Sequence, residues 1–298
     1  MKSLAEFVMR GRLQALLVVV IGASSLMFSW VSAAVVALVT LRKGAGQGAW
    51  LLLWALLPAV TLLVMFKDSG PLATLVGTSV LALVLRTTVS LSLTLLASVV
   101  VGVLSGLAVI VFGGDMLDQM VTFFAEFLTQ LEQQIATGGE GAESIVLQRP
   151  NALQIAGMLG LVNAMGSVMC LLLARWWQAA LYNPGGFGQE FRTLRMSPAY
   201  TLVLVVPALA LYVSAVDYRT WAVIFAVPFT FAGLALVHAR AALRGQGSGW
   251  LTGFYLMWLF FDPVKLIVVF VAIADSWLNF RQRWVGKPGG HDSDEDRD

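Results

Sequence analysis

Arg86, Asp262 and Lys265 are charged side chains set inside otherwise apolar runs of this sequence. A charge at the centre of a membrane helix costs about 2.5–3.5 kcal/mol on insertion scales, so each must face protein, water or a countercharge. Arg86 is followed by Thr87, Ser90, Thr94 and Ser98, a polar stripe expected to face the interior of a helix bundle. Its guanidinium suits an anionic ligand; an interfacial arginine at a helix junction is the alternative. Asp262 and Lys265 flank Pro263. Three residues apart, they share one face of a helix and can pair. Proline frees backbone groups of the preceding turn, and a polar site at a broken helix is a recurrent transporter design. An ion pair that only stabilises the break fits the same residues. Both readings stay open for all three side chains.

Other chemistry is missing. The sequence has no GxSxG, HExxH, P-loop or CxxC pattern, so no hydrolase, metal or nucleotide chemistry is indicated. Its histidines are His238, placed before a basic loop as at a helix end, and His291 in an acidic tail. Cys170 lies in an apolar run and reads as a small hydrophobe. The expectation is a protein that is not an enzyme and has neither a bound metal nor a cofactor. Asn163 falls among Ala156, Gly157, Gly160, Ala164, Gly166 and Ser167. With the Gly102–Gly106 GxxxG, this reads as close helix packing.

The elements that must position these residues are apolar helices. Apolar residues make up 58% of the chain and charged residues 12%, far more apolar surface than a soluble core could hide. Eight apolar segments follow: Leu13–Leu41, Trp50–Phe66, Leu72–Leu85, Val89–Phe112, Leu153–Leu181, Tyr200–Val216, Trp221–His238 and Trp250–Trp277. Trp50, Trp177, Tyr182, Tyr200, Tyr218, Trp221, Trp250 and Trp277 stand near their ends, as in an interfacial aromatic belt. The expected fold is all-α, a polytopic transmembrane helix bundle spanning residues 1–284. Basic residues cluster in short loops and not on one face, which argues against nucleic acid as a partner and for the lipid bilayer.

The first and last segments are irregular. Leu13–Leu41 carries Gly22-Ala23-Ser24-Ser25 near its middle, and Trp250–Trp277 carries Asp262-Pro263. Each is either one long tilted helix or two half-length, re-entrant pieces. With every basic cluster on the cytoplasmic side, the crossings close only if both odd segments return to their starting side. That scheme puts residues 113–150 outside the membrane, where Asp115, Asp118, Glu126, Glu132, Glu140 and Glu143 face only Arg149. Within this loop Leu117, Met120, Val121, Phe124, Phe127, Leu128, Leu131 and Ile135 recur at helical spacing. They predict an amphipathic helix packed on the protein and stopped at Gly138-Gly139. Residues 285–298 read as a disordered acidic tail.

Some stretches resemble a known family. Ala174-Arg175-Trp176-Trp177-Gln178 runs into Tyr182-Asn183-Pro184-Gly185-Gly186-Phe187 and Glu190-Phe191-Arg192, and the chain closes on Asp275-Ser276-Trp277-Leu278-Asn279-Phe280-Arg281. With Leu85-Arg86-Thr87-Thr88 and Leu41-Arg42-Lys43-Gly44, these resemble the bacterial YybS-like family of membrane proteins, from Met1 to about Arg283. The family has no assigned reaction, so the resemblance implies a bacterial inner membrane location and no activity. In helix arrangement it is distantly similar to the substrate-binding subunits of energy-coupling-factor transporters. Two functions therefore stand side by side: a solute-binding or transport-associated subunit, and a scaffold or regulatory partner of another membrane protein. The second would use the loop of Asn183, Pro184, Gly185, Gly186, Phe187 and Arg192. A capping or ion-pair role is expected for Asp275 and Arg281.

The charge scheme predicts that cysteines placed at Ser3, Gln189 and Ser293 are labelled only from the cytoplasmic side, and one at Ala142 only from outside. Labelling of Gln189→Cys from outside, or protection of Ala142→Cys, would sink it.

Overall fold

The computed structural model describes residues 2–137 and 147–285. The Gly138-Gly139 stop, Glu140, Glu143 and the tail from Gly286, with His291, lie outside them. Among the described residues all regular structure is helical, and the chain is an all-α, polytopic transmembrane helix bundle. It divides into two compact units, one of residues 1–187 with 203–228, the other of 188–202 with 229–298.

The first unit is built around a helix that does not reach across a membrane. The Leu13–Leu41 segment breaks at Ser24–Phe28 into α2 (Arg12–Ala23) and α3 (Ser29–Lys43). Ser32 Oγ donates to the Val19 carbonyl at 2.8 Å, and Lys43 Nζ to the Met9 carbonyl at 3.3 Å. Residue 19 thus faces 32 and residue 9 faces 43, so the two halves run antiparallel and the segment ends where it began. At 15 residues, α3 is roughly 22 Å long, short of the roughly 30 Å hydrocarbon core. It is apolar all round, and every residue from Ser32 to Leu41 is buried, as expected of a helix without a polar face. Around it pack α2, α4 (Ala45–Phe66), α5 (Gly70–Thr88) and α8 (Ala152–Tyr182). A short amphipathic helix, α1 (Lys2–Arg10), precedes the hairpin and buries Ala5 and Val8. Its Leu4, Ala5, Phe7 and Val8 spacing is a legible signal that attention to the basic residues passes over.

Among the described residues four helices are long and apolar enough to cross a membrane: α4, α5, α6 (Leu91–Phe112) and α8. The α5–α6 junction turns at Val89, which adopts a left-handed conformation (φ 52°), and Ser90 caps α6 through the Leu93 amide. This turn splits the expected polar stripe. Thr94 and Ser98 are buried in α6, whereas Thr87, at the end of α5, is exposed and bonds to its own helix. The α8 helix starts on a capping box between Asn151 and Gln154, an Asn-x-x-Gln signature readable in the sequence.

Small residues bring α6 and α8 together. A Cβ at Gly102 would fall 2.8–2.9 Å from Ile224, Ala164 and the Gly160 carbonyl, and one at Gly106 would meet Trp221 and the Ala156 carbonyl. Trp221 fills this notch and donates Nε1–H to the Leu153 carbonyl at 2.9 Å. Trp221 and Trp177 are therefore buried packing residues, not members of an interfacial belt. Asn163 also serves packing, donating to Ser105 and accepting from Thr74.

The amphipathic helix expected outside is α7 (Gly114–Thr137), which packs on α8 and α6. Residues 147–149 are pinned to it, since Glu132 accepts from the Leu147 amide and pairs with Arg149 at 3.2 Å. Within the first unit these residues lie at the end opposite Lys43. Gly106 meets Ala156 near the start of α8, while the Arg42 guanidinium stacks 4.0 Å over Tyr182 at its finish.

Among the described residues three bent helix pairs are also apolar and long enough when each is taken together. They are α9 (Gly186–Thr193) with α10 (Pro198–Ser214), turned by 65°; a 3-10 turn (Val216–Tyr218) and α11 (Arg219–Ile224) with α12 (Val227–Leu243), turned by 46°; and α13 (Ser248–Phe260) with α14 (Asp262–Leu278), turned by 109°. The break before Pro228 interrupts a segment that hydropathy presents as continuous. Proline disfavours helix in the residue before it and supplies no amide. The chain ends its described part in α15 (Phe280–Val285).

If the α6–α8 contact depends on absent side chains, Gly102→Val should lower the thermal stability in detergent by about 1–3 kcal/mol. Gly166→Ala, where a Cβ meets nothing within 4 Å, should leave it unchanged or raise it slightly. Equal losses from both would remove close packing as the explanation.

Candidate functional site

Arg86 sits in the last turn of α5, and its Nη1 donates to the carbonyls of Thr40 at 3.2 Å and Leu41 at 2.7 Å. These are last-turn carbonyls of α3; that of Thr40 also accepts from the Gly44 amide, and Arg86 adds a donor to each. A cation there also complements the negative end of the helix dipole. Of the two readings of Arg86, the geometry matches the arginine at a helix junction: its guanidinium is engaged by backbone.

The second unit closes a helix end in the same way, at carbonyls of which that of Asp275 also accepts from the Asn279 amide. Arg195 donates Nε–H to the Asp275 carbonyl at 3.0 Å and Nη2–H to the Ser276 carbonyl at 2.8 Å, both in the last turn of α14. Asp275 and Arg281 form a 2.5 Å ion pair with side chains only 4% and 16% exposed. The Asp275 carboxylate also accepts from the Phe280 amide, and Arg281 donates to the carbonyls of Arg192 and Leu194. Thr201 donates to Ser276 Oγ at 2.7 Å. Burial pushes the Arg281 guanidinium below its ordinary value, the Asp275 carboxylate pulls it back up, and Arg195 opposes that pull. The capping and ion-pair role read for Asp275 and Arg281 is what the structure contains.

Asp262 and Lys265 do pair, at 2.7 Å. Pro263 does not kink a helix there; it occupies the first turn of α14 after a break at Phe261, where its missing amide costs nothing. Asp262 benefits from the positive end of the helix dipole. The protein leaves the pair uncovered, with side chains 87% and 41% exposed, so the expected shielding inside the bundle is not supplied by the described residues. Arg86 belongs to the first unit and this pair to the second.

The loop proposed as a contact surface also divides at the unit boundary. Asn183, Pro184 and Gly185 are exposed after α8, and Gly185 takes φ +86°, a conformation that favours glycine. Gly186 opens α9 against the Asn183 amide, where a Cβ would clash. Phe187 is half-buried, and Arg192 donates Nε–H to the Gly188 carbonyl of its own helix.

A cavity of about 400 Å³ opens in the first unit where α2, α3 and α4 meet. Arg12 and Lys43, at the joined ends of the hairpin, and Gln47 supply its polar wall. Trp50, Leu51, Val39 and Ala15 supply the apolar one. The volume lies within the usual range for small-molecule pockets, as does the mixture of apolar lining with a few polar groups. Compared with known proteins, the chain matches no family model, no curated protein and no solved structure. The site must be read from its own chemistry. Among the described residues there is no group of three or more metal-ligating side chains.

Sequence reading treated Arg12 and Lys43 as loop charges that set orientation and took Trp50 for a belt residue. Their convergence follows from the doubling back of the hairpin, which no local pattern encodes.

A double-mutant cycle separates the two ion pairs. Asp275→Asn and Arg281→Met should each cost about 3–5 kcal/mol, with the double variant costing clearly less than their sum, because a lone survivor is buried without a partner. Strictly additive losses would remove the pair as the link that closes α14. For Asp262→Asn and Lys265→Met, singles that cost more than the double variant are expected if the break lies in hydrocarbon.

Proposed function

We propose that this chain is a solute-binding or transport-associated subunit of the bacterial inner membrane, akin to the YybS-like family, with its basic end in the cytoplasm. The cavity beside the re-entrant hairpin carries this reading. It joins apolar walls to convergent cations, on a half-length helix held from all sides. The cleft opens at the surface, where Arg12, Gly46 and Trp50 are exposed, so a solute can reach it. The Asp262–Lys265 pair at the second break supports the same reading as a secondary polar feature. In this proposal the chain is not an enzyme and its partners are the bilayer and a small-molecule solute.

The scaffold reading has one observation in its favour. Helix α13 buries none of its residues, leaving an apolar surface that a second membrane protein could cover.

Native mass spectrometry of the purified chain decides between them. Binding predicts a co-purified molecule that is retained on gentle activation, lost in Gly46→Phe at the cavity wall and kept in Gly249→Phe, at the start of α13. A chain that carries no bound molecule in any of the three forms favours the scaffold.

A further inference from the structure

We infer that the cavity among α2, α3 and α4 takes a phosphate-bearing organic anion, with the phosphate against Arg12, Lys43 and the start of α4. This deepens the binding reading above and rests on it.

The polar wall is positive and contains no carboxylate. Arg12 has no hydrogen-bond or ion-pair partner among the described residues, and Lys43 spends one bond on the Met9 carbonyl, leaving two of its three donors. Glu6 is engaged with Lys2 at 3.9 Å and is not part of the cavity lining. The first helical hydrogen bond of α4 runs from the Gly48 amide to the Gly44 carbonyl. The amides of Ala45, Gly46 and Gln47 thus stand ahead of it, and no acidic residue occupies that turn. Gly46 and Gln47 line the cavity, and a Cβ at Gly46 would meet nothing within 4 Å, so a ligand can approach the backbone there. Two cations and a helix start with free amides supply more than one positive charge and several donors. A single carboxylate would leave part of that charge uncompensated. A phosphate, with more acceptor oxygens and up to two charges, matches the set.

The apolar part of the lining decides that the anion is organic. Trp50, Leu51 and Val39 offer an indole and two aliphatic side chains, which would desolvate a bare inorganic ion for no return. The ligand is therefore amphiphilic, either an anionic phospholipid whose headgroup enters the cavity or a soluble organic phosphate.

The test uses the full chain in neutral detergent and reads thermal stability. The probes are phosphatidylglycerol, phosphatidylcholine, glycerol 3-phosphate and inorganic phosphate, titrated separately. The variants are Arg12→Gln, on the cavity, and Arg10→Gln, which makes the same change in net charge off it. Support is a saturable stabilisation by phosphatidylglycerol or glycerol 3-phosphate, with apparent affinity weakened roughly tenfold or more in Arg12→Gln, as for loss of a charge-assisted hydrogen bond. Arg10→Gln should bind as the native chain does. Phosphatidylglycerol alone identifies a lipid headgroup; glycerol 3-phosphate identifies a soluble organic phosphate. Equal effects of phosphatidylglycerol and phosphatidylcholine, or equal weakening by the two variants, would overturn the assignment. A co-purified molecule without phosphate, unaffected by these probes, overturns the phosphate assignment and leaves the binding reading intact. No bound molecule and no stabilisation by any probe removes both.

Discussion

A helix that stops inside a bilayer exposes carbonyls to a medium that cannot hydrogen-bond them, and each unpaired group there costs several kcal/mol. The α2–α3 hairpin turns back at such a point, and side-chain caps close the helix ends at its base and at the finish of α14. The last-turn carbonyls of α3 are taken by Arg86 and those of α14 by Arg195. In both cases the accepting carbonyls lie three and two residues before the helix end. A guanidinium suits the task because it remains charged when partly buried and presents several donors in a fixed plane. The second site adds the Asp275–Arg281 pair, which returns a negative charge to a place where two arginines meet.

Some of the charges within apolar runs thus serve the frame. Arg86 stands in an apolar run, but its guanidinium lies on backbone. Asp275 and Arg281, in the closing stretch of the described chain, likewise maintain the frame. Beside this frame stands the positive wall of Arg12 and Lys43, made by the hairpin that Arg86 helps to close. Framework and candidate site are thus linked: removing the cap on α3 would loosen one wall of the cavity.

Elsewhere in the first unit the packing is of a second kind. The α6–α8 contact uses missing side chains, with Gly102 and Gly160 allowing backbones to approach and Trp221 filling the notch beside Gly106 and Gly157. In lipid there is no hydrophobic drive between helices, so such van der Waals contact carries the association.

Composition and apolar run length by themselves determined that this is an all-α membrane bundle, because few other structures satisfy backbone hydrogen bonds in lipid. Both weak points were also legible, from Gly22-Ala23-Ser24-Ser25 and from Asp262-Pro263, since glycine and proline act on the local backbone. So was the role of Asp275 and Arg281, which lie close in sequence at a helix end. The break before Pro228 had a local signal as well, obscured by the hydropathy on either side. Tertiary structure alone decided the rest. Arg86 reaches carbonyls 45 and 46 residues away, Trp177 and Trp221 leave the interface for the core, and Arg12 meets Lys43 across a hairpin. These outcomes depend on which helix faces which, and hydropathy carries no such information: it ranks a residue's preference for lipid over water without naming the neighbour that replaces either.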